Sequence, residues 1–309
     1  MFDELQKPSS DLFYKSRDPS DNNMGDIVSY ESSDYEKSQI VIIGCPQDEG
    51  VRRNNGRVGA AAAPDAIRQV LYRLISPPDL MTGLIVDLGN IKNADTLEET
   101  HDIHSKVVAK ILEDNKRLIV IGGGNDISYP DCLGLSKVCK NILALNIDSH
   151  FDVRENKVRN SGTPYRQLLE ENIILPENFF ELAIQPFANS EEFWEYLETK
   201  KVSIHTLEQL QQQGIEETVR SILDDNKSEV IFWGFDMDSV RSADAPGVSA
   251  SYPTGLTAEE ILSVATIAGQ DSRSKILEIS EVNPKYDIEN KTAKLAAQII
   301  ICYLYSLAP

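Results

Sequence analysis

Eight short runs rich in Ile, Val and Leu recur from residue 40 onward: Ile40 to Gly44, Leu84 to Leu88, Leu118 to Ile121, Ile142 to Ile147, Phe180 to Ile184, Val202 to Ile204, Val230 to Phe235 and Ile276 to Ile279. Between most of them lie stretches with helical spacing, such as Pro64 to Leu74, Leu97 to Asp114, Glu191 to Lys200, Ile215 to Asp225, Ala258 to Ala268 and Thr292 to Leu307. Strands apolar on both faces need helices above and below, and helical crossovers make neighbouring strands parallel. The pattern predicts an α/β fold: a three-layer α/β/α domain with a mainly parallel sheet of about eight strands. No fixed repeat and no Pro- or Gly-rich linker divides it, so residues 39–309 read as a single domain. The first 38 residues carry polar clusters such as SRDPSDNN and ESSDYEKS. They read as a mobile or surface-draped extension with little core of its own.

Charge narrows the chemistry. Thirty Lys and Arg stand against 49 Asp and Glu, giving −19 at pH 7. That balance repels phosphate backbones and anionic headgroups, so neither nucleic acid nor membrane is an expected partner. No apolar run approaches the roughly 20 residues needed to span a bilayer. The start, MFDELQKPSS, has neither a basic nor an apolar leader region, which predicts a cytoplasmic protein. Cys45, Cys132, Cys139 and Cys302 lack CxxC spacing, which leaves a disulfide framework or thiolate zinc site without support. With four histidines, His101, His104, His150 and His205, a metal site must be built mostly of carboxylates, which favour hard, oxygen-preferring ions.

In parallel sheets ligands sit beyond the carboxyl ends of the strands. The run Ile142 to Ile147 leads directly into Asp148, Ser149, His150, Phe151 and Asp152. Alternation along an extended segment would put Asp148, His150 and Asp152 on one side, although Asp152 could instead pair with Arg154. Asp236 and Asp238 follow the seventh run with the same one-residue gap, and carboxylates so close repel unless a cation or proton compensates them. The third run ends in GGGNDISYP, whose glycines permit a sharp turn and a close approach. Lacking GxGxxG spacing, it reads as a turn into a helix capped by Asn125 or Asp126. The eighth run ends at EISEVNP, where Glu281 could bind a cationic group and Glu278 lies within the strand. His101 and His104 share i, i+3 spacing but are remote in sequence from the carboxylates. His205 could approach the rim and reads as structural.

These segments together resemble the ureohydrolase superfamily of arginases, agmatinases and formimidoylglutamases, which carries DAHxD, DxDxxD and EVNP segments in this order. The resemblance runs from about residue 40 to 300. DEGVRRNNGRVGAA, SGTPYRQ, DSVRSADAPGVSA and EVNPKYD are similar to the formimidoylglutamase branch, and Ser161-Gly162-Thr163-Pro164-Tyr165 stands where arginases carry a histidine-bearing SGNLHG-like segment. The resemblance implies two Mn²⁺ ions: Asp148 and Asp236 bridge both, His150 and Asp238 complete one position, and Asp152 helps form the other. The family's remaining ligand there is a histidine; this chain has Asn125, a weaker donor, which predicts a looser second ion. The implied reaction is hydrolysis of N-formimino-L-glutamate to L-glutamate and formamide by a metal-bridging hydroxide, in histidine degradation. Asp238 would shuttle the proton and Glu281 hold the amidinium. Arg52, Arg53, Arg57, Arg154 and Arg166 are the candidates for gripping the substrate's carboxylates, and Ser161 and Tyr165 are further candidates for the pocket. A homo-oligomer, trimer or hexamer, is also implied. Two alternatives stand beside this reading: a urea-releasing hydrolase of a guanidino compound such as agmatine or guanidinobutyrate, and an inactive binding protein for which Asn125 is the main support.

Overall fold

The computed structural model describes residues 2–18, 21–78 and 84–307. All eight apolar runs form strands, and one further strand precedes them: β1 (Leu5–Gln6), β2 (Ile40–Gly44), β3 (Ile85–Ile91), β4 (Arg117–Ile121), β5 (Ile142–Ile147), β6 (Phe179–Ile184), β7 (Ser203–Thr206), β8 (Val230–Asp236) and β9 (Ser274–Ser280). They make one sheet in the order β1-β3-β2-β4-β9-β8-β5-β6-β7. The pairing of β1 with β3 is antiparallel; the others are parallel.

Every residue of β2, β5 and β8 is buried, as a sheet covered on both sides requires. The period-two alternation divides the side chains between two cores. Leu143, Leu145 and Ile147 of β5 meet the helices Ala63–Leu71, Ile215–Asp225, Ala258–Gln270 and Lys291–Tyr305. Ile142 and Ala144 face the helices Leu97–Glu113, Ser128–Val138, Pro164–Glu170 and Glu191–Lys200. Three-layer α/β/α architecture follows from this arrangement.

Helix starts are written locally. Thr96 Oγ1 accepts the Glu99 N–H at 3.2 Å while Glu99 Oε2 accepts the Thr96 N–H at 3.1 Å. Thr257 and Glu260 repeat this reciprocal cap, which satisfies amides that the helix itself leaves unpaired. The helix Ser128–Val138 escaped the periodicity because Pro130 and Gly134 interrupt its apolar pattern. Pro130 sits in the first turn, where its missing N–H costs nothing. Gly134 lets two helices touch: a Cβ there would come within 2.7 Å of Val108 Cβ.

The described residues among the first 38 correct an expectation, because several of them are buried in the core. Leu12, Phe13, Met24, Ile27 and Val28 join the core beside Ile67 and Leu71, and Phe13 stacks on Tyr72 with ring centroids 4.4 Å apart. Tyr35 is buried in the opposite layer and donates to Asp114 Oδ2 at 2.7 Å. The apolar residues are too sparse to form a periodic run, yet each fills a gap left by the later elements. Beneath this segment lies a buried ion pair, in which Arg68 Nε and Nη2 donate to the two Asp87 oxygens at 2.8 and 2.9 Å, and Tyr72 also donates to Asp87.

At mid-sheet β4, β9, β8 and β5 are neighbours. Their parallel carboxyl ends bring the turn at Gly122–Asn125, Glu281, Asp236 with Asp238, and Asp148 through Asp152 to one place.

Candidate metal centre

Two clusters sharing Asp148 form beyond those strand ends. One ligand atom from each of Asp148, His150 and Asp238 lies within 4.8 Å of the others, and the same holds for Asp148, Asp152 and Asp236. The convergence does not come from the strict alternation expected of an extended segment. Asp152 has φ 48°, so the chain turns, and His150 and Asp152 face different clusters. Glu281 also has positive φ, 61°. Left-handed backbone at non-glycine residues carries a strain that the surrounding structure must hold; both residues line the same cavity.

The glycine turn acts by close approach. A Cβ on Gly123 would lie 2.3 Å from the Gln47 carbonyl oxygen, and one on Gly124 would lie 2.8 Å from Asp126 Oδ1. Tight packing there aims Asn125 inward, where its Nδ2 donates to Asp152 Oδ2 at 2.7 Å and to Asp148 Oδ2 at 3.2 Å. Asp126 points the other way, accepting from Gln47 Nε2 at 2.6 Å and meeting His101 Nε2 at 2.8 Å. His104 is buried against Asp131 at 2.8 Å. Both histidines are therefore structural partners of buried acids.

The electrostatics call for a cation. Burial, reinforced by Asp238, raises Asp148 to about 6. Burial and the charge of Asp148 raise Asp152 to about 7. Burial, with smaller contributions from Asp238 and Asp152, raises Glu281 to about 8, although Ser249 and the Asn125 N–H pull it down, and burial with Asp238 pushes Asp236 well up. Burial opposes charging the His150 ring, but Asp238 at 3.1 Å and Asp148 at 3.4 Å outweigh it and push its pKa up. Among the described residues, Asp238 Oδ1 and Glu281 Oε2 are buried without a hydrogen-bond partner. Carboxylates crowded this closely, with orphaned oxygens and one imidazole, suit hard divalent ions.

Above the clusters is a cavity of about 180 Å³ lined by His150, Asp152, Asp236, Asp238 and Glu281 on its floor and by Arg154, Ser161, Asn54, Asn189, Phe193 and Ser249 on its walls. Arg154 is the one arginine in this lining. Its guanidinium lies over the Phe193 ring, 5.6 Å from the centroid, and its side chain makes no ion pair among the described residues.

The other arginine candidates are engaged elsewhere. Arg52 is exposed and held by both oxygens of Glu49 at 2.6 Å. Arg53 binds Glu98 at 2.6 Å and the Arg159 carbonyl at 3.0 Å. Arg57 donates to the carbonyls of Val248 and Ser249 at 2.7 and 2.9 Å, and Arg166 pairs with Glu170 at 3.0 Å. Tyr165 is fully buried, stacked on Phe179 and bonded to Ser128 Oγ at 3.2 Å. Each satisfies a nearer partner than the cavity offers. His205 lines a separate hollow of about 710 Å³ beside β6 and β7, away from the carboxylates. Asn54, Asn189 and Ser249, on loops, and Phe193, in the first turn of the helix Glu191–Lys200, went unnoticed in the sequence, because neutral side chains carry no charge or ligand-spacing signal.

A helix-covered parallel sheet with paired carboxylate clusters beyond its central strands defines an α/β protein with a cation centre at the strand ends. The chain belongs to the arginase family, whose sequence model, "Arginase family", matches residues 38–305. It is 33% identical over 275 residues to the formimidoylglutamase of Staphylococcus carnosus, covering 87% of each chain. Its fold is similar to that of Trypanosoma cruzi formiminoglutamase solved with Mn²⁺, with TM-score 0.86, 31% identity and coverage of 93% of this chain and 98% of that one. Formimidoylglutamase from Bacillus subtilis is similar too, with TM-score 0.86, 27% identity and coverage of 95% and 94%. No helix among the described residues is long and apolar enough to cross a membrane.

Proposed function

We propose that this chain is a Mn²⁺-dependent hydrolase that converts N-formimino-L-glutamate and water to L-glutamate and formamide. The observation that carries the reading is the pair of clusters sharing Asp148 beneath a cavity with a single free arginine, in a chain similar to formimidoylglutamases along most of its length. Asp148, His150 and Asp238 would hold one ion, and Asp148, Asp152, Asp236 and Asn125 the other, with Asp236 reaching across to the first. Two such ions supply Lewis acidity and lower the pKa of bound water toward neutrality.

The protein's own groups do the rest. Glu281, with one oxygen fixed by the Asn125 N–H at 2.9 Å, keeps its other oxygen for the amidinium. Asp238, on the cavity floor, has a buried Oδ1 without a partner among the described residues and can take the proton of the attacking water. It returns that proton to the glutamate nitrogen as the C–N bond breaks, which releases formamide. Arg154 grips a substrate carboxylate, since a guanidinium offers paired donors, while Asn54, Ser161 and Asn189 supply neutral contacts. The reading extends to histidine degradation in the cytoplasm and to a homo-oligomer of three or six chains; family resemblance supports these points.

Incubating the Mn²⁺-loaded protein separately with N-formimino-L-glutamate, agmatine and guanidinobutyrate tests the assignment. Formamide with equimolar glutamate is expected from the first compound alone; urea from either of the others would overturn it.

A further inference from the structure

Asn125 is held from two sides. Its Nδ2 faces Asp148 and Asp152, while its Oδ1 lies 3.1 Å from each of Ser128 Oγ and Ser280 Oγ. An amide binds a cation only through oxygen, so in this orientation Asn125 presents the wrong atom. Half a turn about the Cβ–Cγ bond exchanges oxygen and nitrogen with almost no change of shape. Whether that turn is favourable depends on what the far side can accept.

Ser128 Oγ lies 2.6 Å from Glu278 Oε1, a much shorter contact than its 3.1 Å to Asn125. A hydroxyl has one proton and two lone pairs, and the proton follows the stronger acceptor. Glu278 is fully buried on β9, and its Oε1 is the nearer of the two acceptors facing the Ser128 hydroxyl. Tyr165 OH donates to one Ser128 lone pair at 3.2 Å. The second lone pair is directed at Asn125. Ser280 Oγ, at the end of β9, offers another.

We propose that Ser128 and Ser280, with Glu278 fixing the Ser128 proton, form a seat that turns the Asn125 amide when a cation binds. Oδ1 then faces the cation, and Nδ2 donates to the two serine hydroxyls. These three are positioning residues acting through Asn125. The inference rests on the reading that Asn125 completes the second cation position.

The test titrates purified full-length protein with Mn²⁺ alone and follows the free ion by electron paramagnetic resonance. Ser128→Ala and Ser280→Ala each remove an acceptor for a buried N–H, so each weakens the second ion about tenfold and leaves the first unchanged. Ser128→Thr keeps the hydroxyl and the affinity. In an Asn125→Asp background an oxygen faces the cation in either orientation, so the alanine substitutions lose their effect. Equal losses in both backgrounds, or no loss with Asn125 in place, overturn the seat. Asn125→Ala separates the underlying reading: unchanged second-ion affinity removes Asn125 from the ligands, and the seat falls with it. Thermal unfolding without Mn²⁺ checks each fold, and Ser280→Ala carries the test if Ser128→Ala does not fold.

Discussion

His150 Nδ1 stands 3.1 Å from Asp238 Oδ2, joining the segment after β5 to the turn after β8. Two stretches far apart in sequence meet because β5 and β8 are parallel neighbours, with Ile147 opposite Phe235. That register sets the carboxylates of one stretch against those of the other, and protons and divalent ions compete for them.

The competition has a sign. In the folded chain Asp148, Asp152 and Glu281 titrate at about 6, 7 and 8, whereas unfolded carboxylates titrate near roughly 4. The folded state binds these protons more tightly, so stability present below about pH 4 is lost as pH rises toward about 8. Protein stripped with EDTA is expected to lose several degrees of melting temperature between about pH 5 and 8. Mn²⁺ should restore more of it at pH 8 than at pH 5; a stabilisation independent of pH would count against the carboxylates as ligands.

Asn125→His replaces a neutral amide oxygen with a stronger imidazole donor beside Asp148 and Asp152. The second Mn²⁺ should bind roughly ten times tighter, equivalent to about 1.4 kcal/mol, and turnover at limiting Mn²⁺ should rise. Calorimetric titration checks the affinity, and unchanged binding would mean that Asn125 does not set it.

Arg154 and Gly162 should act together on substrate. Arg154→Gln removes the guanidinium from the cavity wall and should lower kcat/KM by roughly 10- to 100-fold, as loss of a hydrogen bond to a charged group does. Gly162→Ala keeps the charge but puts a Cβ 2.7 Å from Arg154 Cδ and 3.0 Å from Asn54 Nδ2. Its effect should fall on KM, with Mn²⁺ affinity unchanged. Steady-state kinetics beside Mn²⁺ titration separates the two quantities.

Arg68→Ala strands the Asp87 carboxylate, which is 0% exposed. Breaking a buried pair from one side costs about 3–5 kcal/mol. Urea unfolding should show a loss of that size, with the mature centre unaffected in the surviving folded fraction.

Much of the fold was legible because fully buried strands leave continuous apolar runs, and Asp148 and Asp236 were legible because they end two such runs. The short β1 was not, since Leu5 and Gln6 form no run and gain their place only by pairing with Ile91 and Asn90. The helix Pro164–Glu170 was hidden within a motif read for chemistry, and Tyr165 on it was assigned to the pocket although it packs on Phe179. Among the arginines, sequence displays charge but not partners. Glu49, Glu98 and Glu170 claim Arg52, Arg53 and Arg166, and only packing leaves Arg154 free to face the cavity.

Counting Mn²⁺ per chain tests the central claim most directly. Elemental analysis after dialysis against excess Mn²⁺ should give two ions per chain, falling to one with Asp152→Ala. Zero ions, or a count unchanged when Asp148 and Asp236 are both replaced by Ala, would contradict a shared two-ion centre.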